Sequence, residues 1–343
     1  MRMLSKYLKV GLQAILSLAL ALCVLYWALG SIDAKQLTTP FRQANYFWVV
    51  VVIGLSFLAH TLRAYRWLLV AGARQVSLST SLSSVLVGYL VNLLIPRAGE
   101  LARCGILKQA AQVDISFSLG TIVVERIIDV LFLLLILLVV LVGEFQWGVQ
   151  LFNQTVGGRL GSVASYLGQW SVWQLGLLGV LLVGLSVLGG WLLWVGAQRL
   201  QFLQKVWQFI HSFAEGLLSV WQLKSFGWFV ASSIGIWMCY FLMTYLLFWA
   251  LPDTANLKWW TAVLVFAAGT LGMAAPVQGG IGAYHLLVQQ ALVFEGLTPG
   301  QGILLATFWH AIQSLASLVL GIGGVLWLTW TGFWRTTAFP AKV

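Results

Sequence analysis

The sequence predicts an all-α polytopic membrane protein with about six full transmembrane helices and two oppositely inserted re-entrant helical hairpins, related as an inverted repeat. Three observations carry that expectation. Charged residues are 8% of the 343 and apolar types 60%, whereas soluble domains are about 25% charged. With a mean hydropathy of +0.92, the chain has more apolar surface than a water-soluble core can hide. Several apolar runs reach the roughly 20 residues needed to cross a bilayer. Two shorter apolar segments are instead cut by proline and resume as a second short helical piece.

In chain order, the first run spans residues 10–29 behind Arg2, Lys6 and Lys9. It is too long for a signal-peptide core and is read as a retained helix. Further full crossings are expected over 46–70, 117–142, 172–196, 226–250 and 302–330. Between them, Leu82 to Ile95 stops at Pro96 within NLLIPRAGELAR and resumes over 98–112. Trp259 to Ala275 stops at Pro276 within GMAAPVQGGIGAYH and resumes over 281–295. Backbone groups freed at such breaks cannot face lipid, so each break is buried in protein or lines a wet cavity. The linker at about 197–225 places Leu203, Trp207, Ile210, Phe213, Leu217 and Trp221 at helical spacing, the pattern of an interfacial amphipathic helix. A weaker version lies over 146–170. The chain is thus read as a single integral membrane domain, 1–343, with a first repeat at about 46–142 and a second at about 226–330.

Positive charge sets the expected orientation. With two hairpins returning to their own sides, eleven Lys and Arg fall to the cytoplasm, Arg63, Arg66 and Arg74 among them, against Lys35, Arg42, Arg159 and Lys258 outside. Single crossings at the two prolines reduce the contrast to about ten against eight, so the positive-inside rule favours hairpins. The expected location is the cell (inner) membrane, with both termini cytoplasmic. Gly88 and Gly99 flank Pro96 much as Gly269 and Gly279 flank Pro276. Paired broken segments in two halves point to a transporter's central site.

The candidate site follows from charges in apolar surroundings. Arg97, Glu100 and Arg103 share a face after the first break, and Glu125, Arg126 and Asp129 sit in the next long helix. Each costs on the order of 3 kcal/mol at the bilayer centre, so the six are expected to pair. One reading is a neutral ion network pinning the hairpin to its neighbour. The other places Arg97 and Arg103 on an anionic headgroup, because a guanidinium fork matches phosphate and the helix after Pro96 aims its N-terminus there. Gly99, Gln278, Gly279 and Gly280 are candidates for close backbone approach to that headgroup. Glu100, Glu125, Arg126, Asp129, His285 and His310 are candidates for the charge network or for proton coupling, packing being the alternative role of the histidines.

No nucleotide, zinc-protease, serine-hydrolase or dinucleotide signature is present. Cys23, Cys104 and Cys239 lie too far apart in sequence to suggest a disulfide framework or zinc site. No cofactor, metal or enzymatic activity is expected.

Asn92 to Arg103, the Glu125-Arg126-Ile127-Ile128-Asp129 stretch and the Pro276-x-x-Gly-Gly-x-Gly turn together resemble the flippase-like, lysylphosphatidylglycerol synthase transmembrane region family over roughly residues 10–330. The resemblance implies a bacterial or archaeal membrane protein linked to lipid movement. It carries no lysyl-transferase domain, so no lipid lysylation is expected from this chain alone. His285 stands where the family often has an acid, and Phe308-Trp309-His310 where an arginine is common.

The leading expectation is a translocase or binder of an anionic phospholipid. The alternatives are a small-anion or proton-coupled transporter, a non-transporting partner of an envelope-lipid enzyme, and, last, a glycosyltransferase using Asp33. Expected partners are membrane lipids, with an envelope-lipid enzyme or a second copy as further candidates, and no nucleic acid.

Overall fold

The computed structural model describes residues 38–71, 76–95, 97–143, 225–275 and 277–333, with isolated positions between 207 and 223. The helices expected over 10–29 and 172–196, the 146–170 loop and most of the 197–225 linker lie outside these residues, as do Pro96 and Pro276 themselves. Among the described residues every regular element is helical: α1 Thr39–Gln43, α2 Tyr46–Ala71, α3 Leu78–Leu94, α4 Ala98–Ala111, α5 Ile115–Gly143, α6 Phe226–Phe248, α7 Trp259–Ala274, a 3₁₀ turn Gln278–Gly280, α8 Ala283–Phe294 and α9 Pro299–Trp330. Four of them, α2, α5, α6 and α9, are long and apolar enough to span a bilayer.

The ends of these helices are written locally. The Ser77 hydroxyl accepts from the Thr80 N–H at 3.2 Å to start α3. Thr298 and Gln301 form a reciprocal capping box with Pro299 in the first turn of α9. Both short apolar helices stop for the same reason. Ile95 (φ −133°, ψ 114°) and Ala275 (φ −58°, ψ 145°) each precede a proline, whose ring drives the preceding residue out of the helical region.

Beyond each stop the chain folds back on itself. Gly88 of α3 meets Gly99 of α4, where a Cβ would overlap the Gly88 carbonyl. Gly272 of α7 faces the backbone of Tyr284 in α8 in the same way, with a Cβ 2.7 Å from its nitrogen. Glycine at these places lets two backbones approach where any side chain holds them apart. Gly99→Ala is therefore expected to splay the first hairpin and cost about 1–3 kcal/mol as overpacking, read as a lower thermal midpoint in detergent, while Gly105→Ala, which faces open space, leaves it unchanged.

The two halves also pack in corresponding ways. Helices α2 and α6, which lead into the two hairpins, run antiparallel. The Asn45 N–H donates to the Ala250 carbonyl at one end, Trp48 and Trp249 meet edge to face at 4.8 Å, and Arg66 reaches Ser233 toward the other. The start of α3 lies on the end of α9, with Ser83 against Gly324. The start of α7 lies on the end of α5, with Trp260 against Gly143. Helix α5 turns a row of leucines, Leu131, Leu134, Leu135 and Leu138, outward, as a lipid-facing helix does.

The buried core centres on the second half, where Phe248, Phe308 and Trp309 pack with Leu264, Val288 and Leu292. The first half has smaller apolar clusters, one around Trp67, Cys104, Leu107 and Ile122. Between α2, α4, α5 and α6 the filling is instead ionic.

Candidate functional site

Helix α2 carries Arg63 and Arg66 one turn apart, and both are buried. Burying a guanidinium is tolerable only beside a carboxylate that also fills its hydrogen bonds. Helix α5 supplies two, because Glu125 and Asp129 are four residues apart and project from one face. Arg63 donates to Asp129 at 3.1 Å and Arg66 to its other oxygen at 3.2 Å. Both arginines also lie 3.9 Å from Glu125, whose side chain is fully buried. Helix α6 adds to their shells, Ser233 accepting from Arg66 at 3.1 Å and Tyr240 from Arg63 at 3.3 Å, while the Nε of each has no hydrogen-bond partner among the described residues.

Arg103 enters from α4. Its Nη1 donates to Glu125 at 3.1 Å, its guanidinium lies 4.3 Å from the Trp67 ring centre, and its stem crosses Gly88, where a Cβ would sit 2.8 Å from Cγ. The cation–π contact and the glycine crossing fix the plane of the guanidinium. Its Nε and Nη2, which share one edge, are buried and have no hydrogen-bond partner among the described residues. At the rim, Arg126 donates to Glu100 at 3.0 Å and Asp129 at 3.4 Å, with Arg126 44% and Glu100 29% exposed in their side chains.

The composition of this cluster departs from the sequence expectation. The six charges read from sequence balance one another, but the network that forms holds Arg63, Arg66, Arg103 and Arg126 against Glu100, Glu125 and Asp129. It carries one excess positive charge. Arg63 and Arg66, counted above as cytoplasmic, are interior residues held by the carboxylates of α5, and the topological count falls to nine against four. Their signal was present in the sequence as two arginines three apart inside an apolar run.

Arg97 is exposed, sits at the start of α4 with a left-handed backbone (φ 62°), and joins none of these ion pairs. The first amides of α4 are engaged by the protein, Ala98 donating to the Ile95 carbonyl at 3.2 Å and Gly99 to the Asn92 side chain at 2.7 Å. Gly99 thus acts in backbone packing and capping.

The second break is held by polar contacts of its own. The Gln278 amide donates to the Leu93 carbonyl at 2.8 Å, joining the two hairpins and satisfying a carbonyl left open at the end of α3. Gly279, Gly280 and Gly282 all have positive φ, a conformation open to glycine. The His310 Nε2 donates to the Gly279 carbonyl at 2.7 Å, the His285 Nδ1 accepts from the Gly282 N–H at 3.3 Å, and the two rings lie 4.8 Å apart. His285 and His310 therefore brace the glycine turn and stand apart from the arginine cluster. Among the described residues no three His, Cys, Asp or Glu side chains form a metal-binding group.

Sequence reading also missed Tyr240, Tyr89, Ser233 and Trp67, which shape the cluster without carrying charge. No curated protein and no solved structure shows a significant match to the chain. The lysylphosphatidylglycerol synthase TM region profile matches residues 14–321, and with its motifs, four long apolar helices and paired breaks the chain belongs to that family.

Proposed function

We propose that this multi-pass membrane protein binds the phosphate of an anionic phospholipid at Arg103 and passes the headgroup between leaflets along the two hairpins, as a transport protein and not an enzyme. The family is named for the membrane region of a synthase of a modified phospholipid, which ties the chain to lipid handling. The observation that carries the reading is the Nε–Nη2 edge of Arg103, which is 3% exposed, has no hydrogen-bond partner among the described residues and lies within a cluster of one excess positive charge. A guanidinium edge is a two-point donor matched to phosphate oxygens, and leaving it unsatisfied is costly. Arg97, exposed at the break, is placed to meet the headgroup first.

The fold supports a hairpin mechanism. Equivalent helices α2 and α6 pack antiparallel, which requires that an operation exchanging the halves also reverse direction. This supports reading the halves as an inverted repeat around a midplane site, in which we take α3–α4 and α7–α8 to be the two re-entrant hairpins and both termini to be cytoplasmic.

Purified protein in phosphatidylcholine vesicles is expected to speed leaflet exchange of fluorescent phosphatidylglycerol while fluorescent phosphatidylcholine stays at the protein-free rate. Equal rates for both lipids, or no rate above protein-free vesicles, would overturn the reading.

A further inference from the structure

The pairing of Arg103 with Glu125 is incomplete on both sides. Arg103 donates through Nη1 to one carboxylate oxygen at 3.1 Å, whereas guanidinium and carboxylate often meet through two parallel bonds. The other oxygen, Glu125 Oε1, is buried and has no hydrogen-bond partner among the described residues, as is true of Arg103 Nε and Nη2. A guanidinium turned to face its Nε–Nη2 edge to the carboxylate would pair Oε1 and leave one donor, Nη1, idle in place of two. The arrangement that forms forgoes that bond, although buried polar groups are costly to leave unpaired.

Two neighbours confine the guanidinium. Trp67 of α2 is fully buried, and its ring centre lies 4.3 Å from Arg103 Cζ. The indole is tied to α5, since its Nε1 donates to the Thr121 hydroxyl at 3.1 Å and that hydroxyl donates to the Ser118 carbonyl at 2.7 Å. Cys104, Leu107 and Ile122 share an apolar cluster with it. Along the stem, α3 passes so close that a Cβ on Gly88 would sit 2.8 Å from Arg103 Cγ and 3.1 Å from Cδ. An aromatic face attracts a guanidinium laid over it, and that attraction opposes a turn toward Oε1.

We propose that Trp67 is a positioning residue for headgroup binding: its indole face holds Arg103 in one-point contact with Glu125 and so keeps the Nε–Nη2 edge available to a phosphate. The inference rests on the headgroup reading above. Without the indole, the guanidinium turns its edge onto Glu125, and a phosphate then has to displace an internal two-point partner. Holding the edge open beforehand is preorganisation, which strengthens binding by removing that rearrangement from it. Trp67 itself touches the arginine and not the lipid.

The test uses the whole protein in phosphatidylcholine nanodiscs with labelled phosphatidylglycerol. Trp67→Leu is expected to lower affinity by about tenfold or more, and Trp67→Phe, which restores a ring face, to stay within about threefold of wild type. In an Arg103→Lys background, which lacks the edge, Trp67→Leu is expected to add less than about twofold, because the two changes act through one group. In lipid-free protein labelled with ¹⁵N-arginine and ¹³C-glutamate, a contact of about 4 Å between an arginine Nε and a carboxyl carbon, of the kind a side-on pair makes, is expected to appear in Trp67→Leu. Wild type is expected to show no such contact that is lost in Arg103→Lys, a measurement independent of whether the Trp67 variants fold. An Nε contact of Arg103 in lipid-free wild type, an equal loss of affinity in both backgrounds, unchanged affinity in Trp67→Leu, or a loss in Trp67→Phe as large as in Trp67→Leu overturns the role of Trp67 and leaves the headgroup reading standing. Absence of phosphatidylglycerol binding by wild type overturns both.

Discussion

Glu125→Ala is expected to lose about 3–5 kcal/mol of stability, the cost of breaking a fully buried ion pair. Glu125 faces Arg103 at 3.1 Å and Arg63 and Arg66 at 3.9 Å with no exposed surface, so its removal takes away the carboxylate that pairs with Arg103 and leaves Arg63 and Arg66 to Asp129. No solvent is available to screen them, and added salt should rescue little. Glu125→Gln keeps the shape and should behave nearly as badly, which separates charge from packing. Asp129→Ala is expected to cost less, because that side chain is 14% exposed, and Glu100→Ala least, because its partner Arg126 lies at the rim. Thermal unfolding in a mild detergent checks the order. Equal midpoints for Glu125→Gln and wild type would show that the cluster does not hold the bundle together.

Arg103→Lys is expected to reduce phosphatidylglycerol affinity and transfer by about 10- to 100-fold while the protein still folds. Lysine supplies the positive charge that Glu125 needs, but its ammonium is a point donor without the two-point edge. Hydrogen bonds to a charged group are worth about 1.5–3 kcal/mol, and each 1.4 kcal/mol is about tenfold in affinity. A folded Arg103→Lys protein with wild-type transfer would mean that the buried edge has no part in recognition. Arg97→Ala should do less, since Arg97 is exposed and joins none of the cluster's ion pairs.

The contrast between Arg103 and Arg63 shows what the sequence makes legible. Helices end where proline forbids continuation, so α3 and α7 were visible from Pro96 and Pro276, and apolar runs of membrane length marked α2, α5, α6 and α9 within a few residues. Arg103, Glu100, Glu125 and Asp129 stood out because charge is rare in such runs. Arg63 and Arg66 did not, because an arginine near the end of an apolar helix reads equally well as a loop charge, and only the opposing face of α5 decides between them. The same holds for His285 and His310, which residue type leaves between proton carrier and packing residue and which meet the turn at Gly282 and Gly279. Periodicity places a residue on a face. What that face meets depends on contacts between segments more than 60 residues apart, as for Arg63 with Asp129.

A lipid phosphate is expected to rest on the edge of Arg103 that has no partner among the described residues. This expectation is tested most directly by solid-state NMR distance measurement between ³¹P of phosphatidylglycerol and ¹⁵N of arginine-labelled protein in bilayers. A phosphorus within about 4 Å of a guanidinium nitrogen, as a charge-assisted hydrogen bond requires, and lost in Arg103→Lys, is the expected result. Absence of any such contact in wild type, or a contact that persists unchanged in Arg103→Lys, would contradict it.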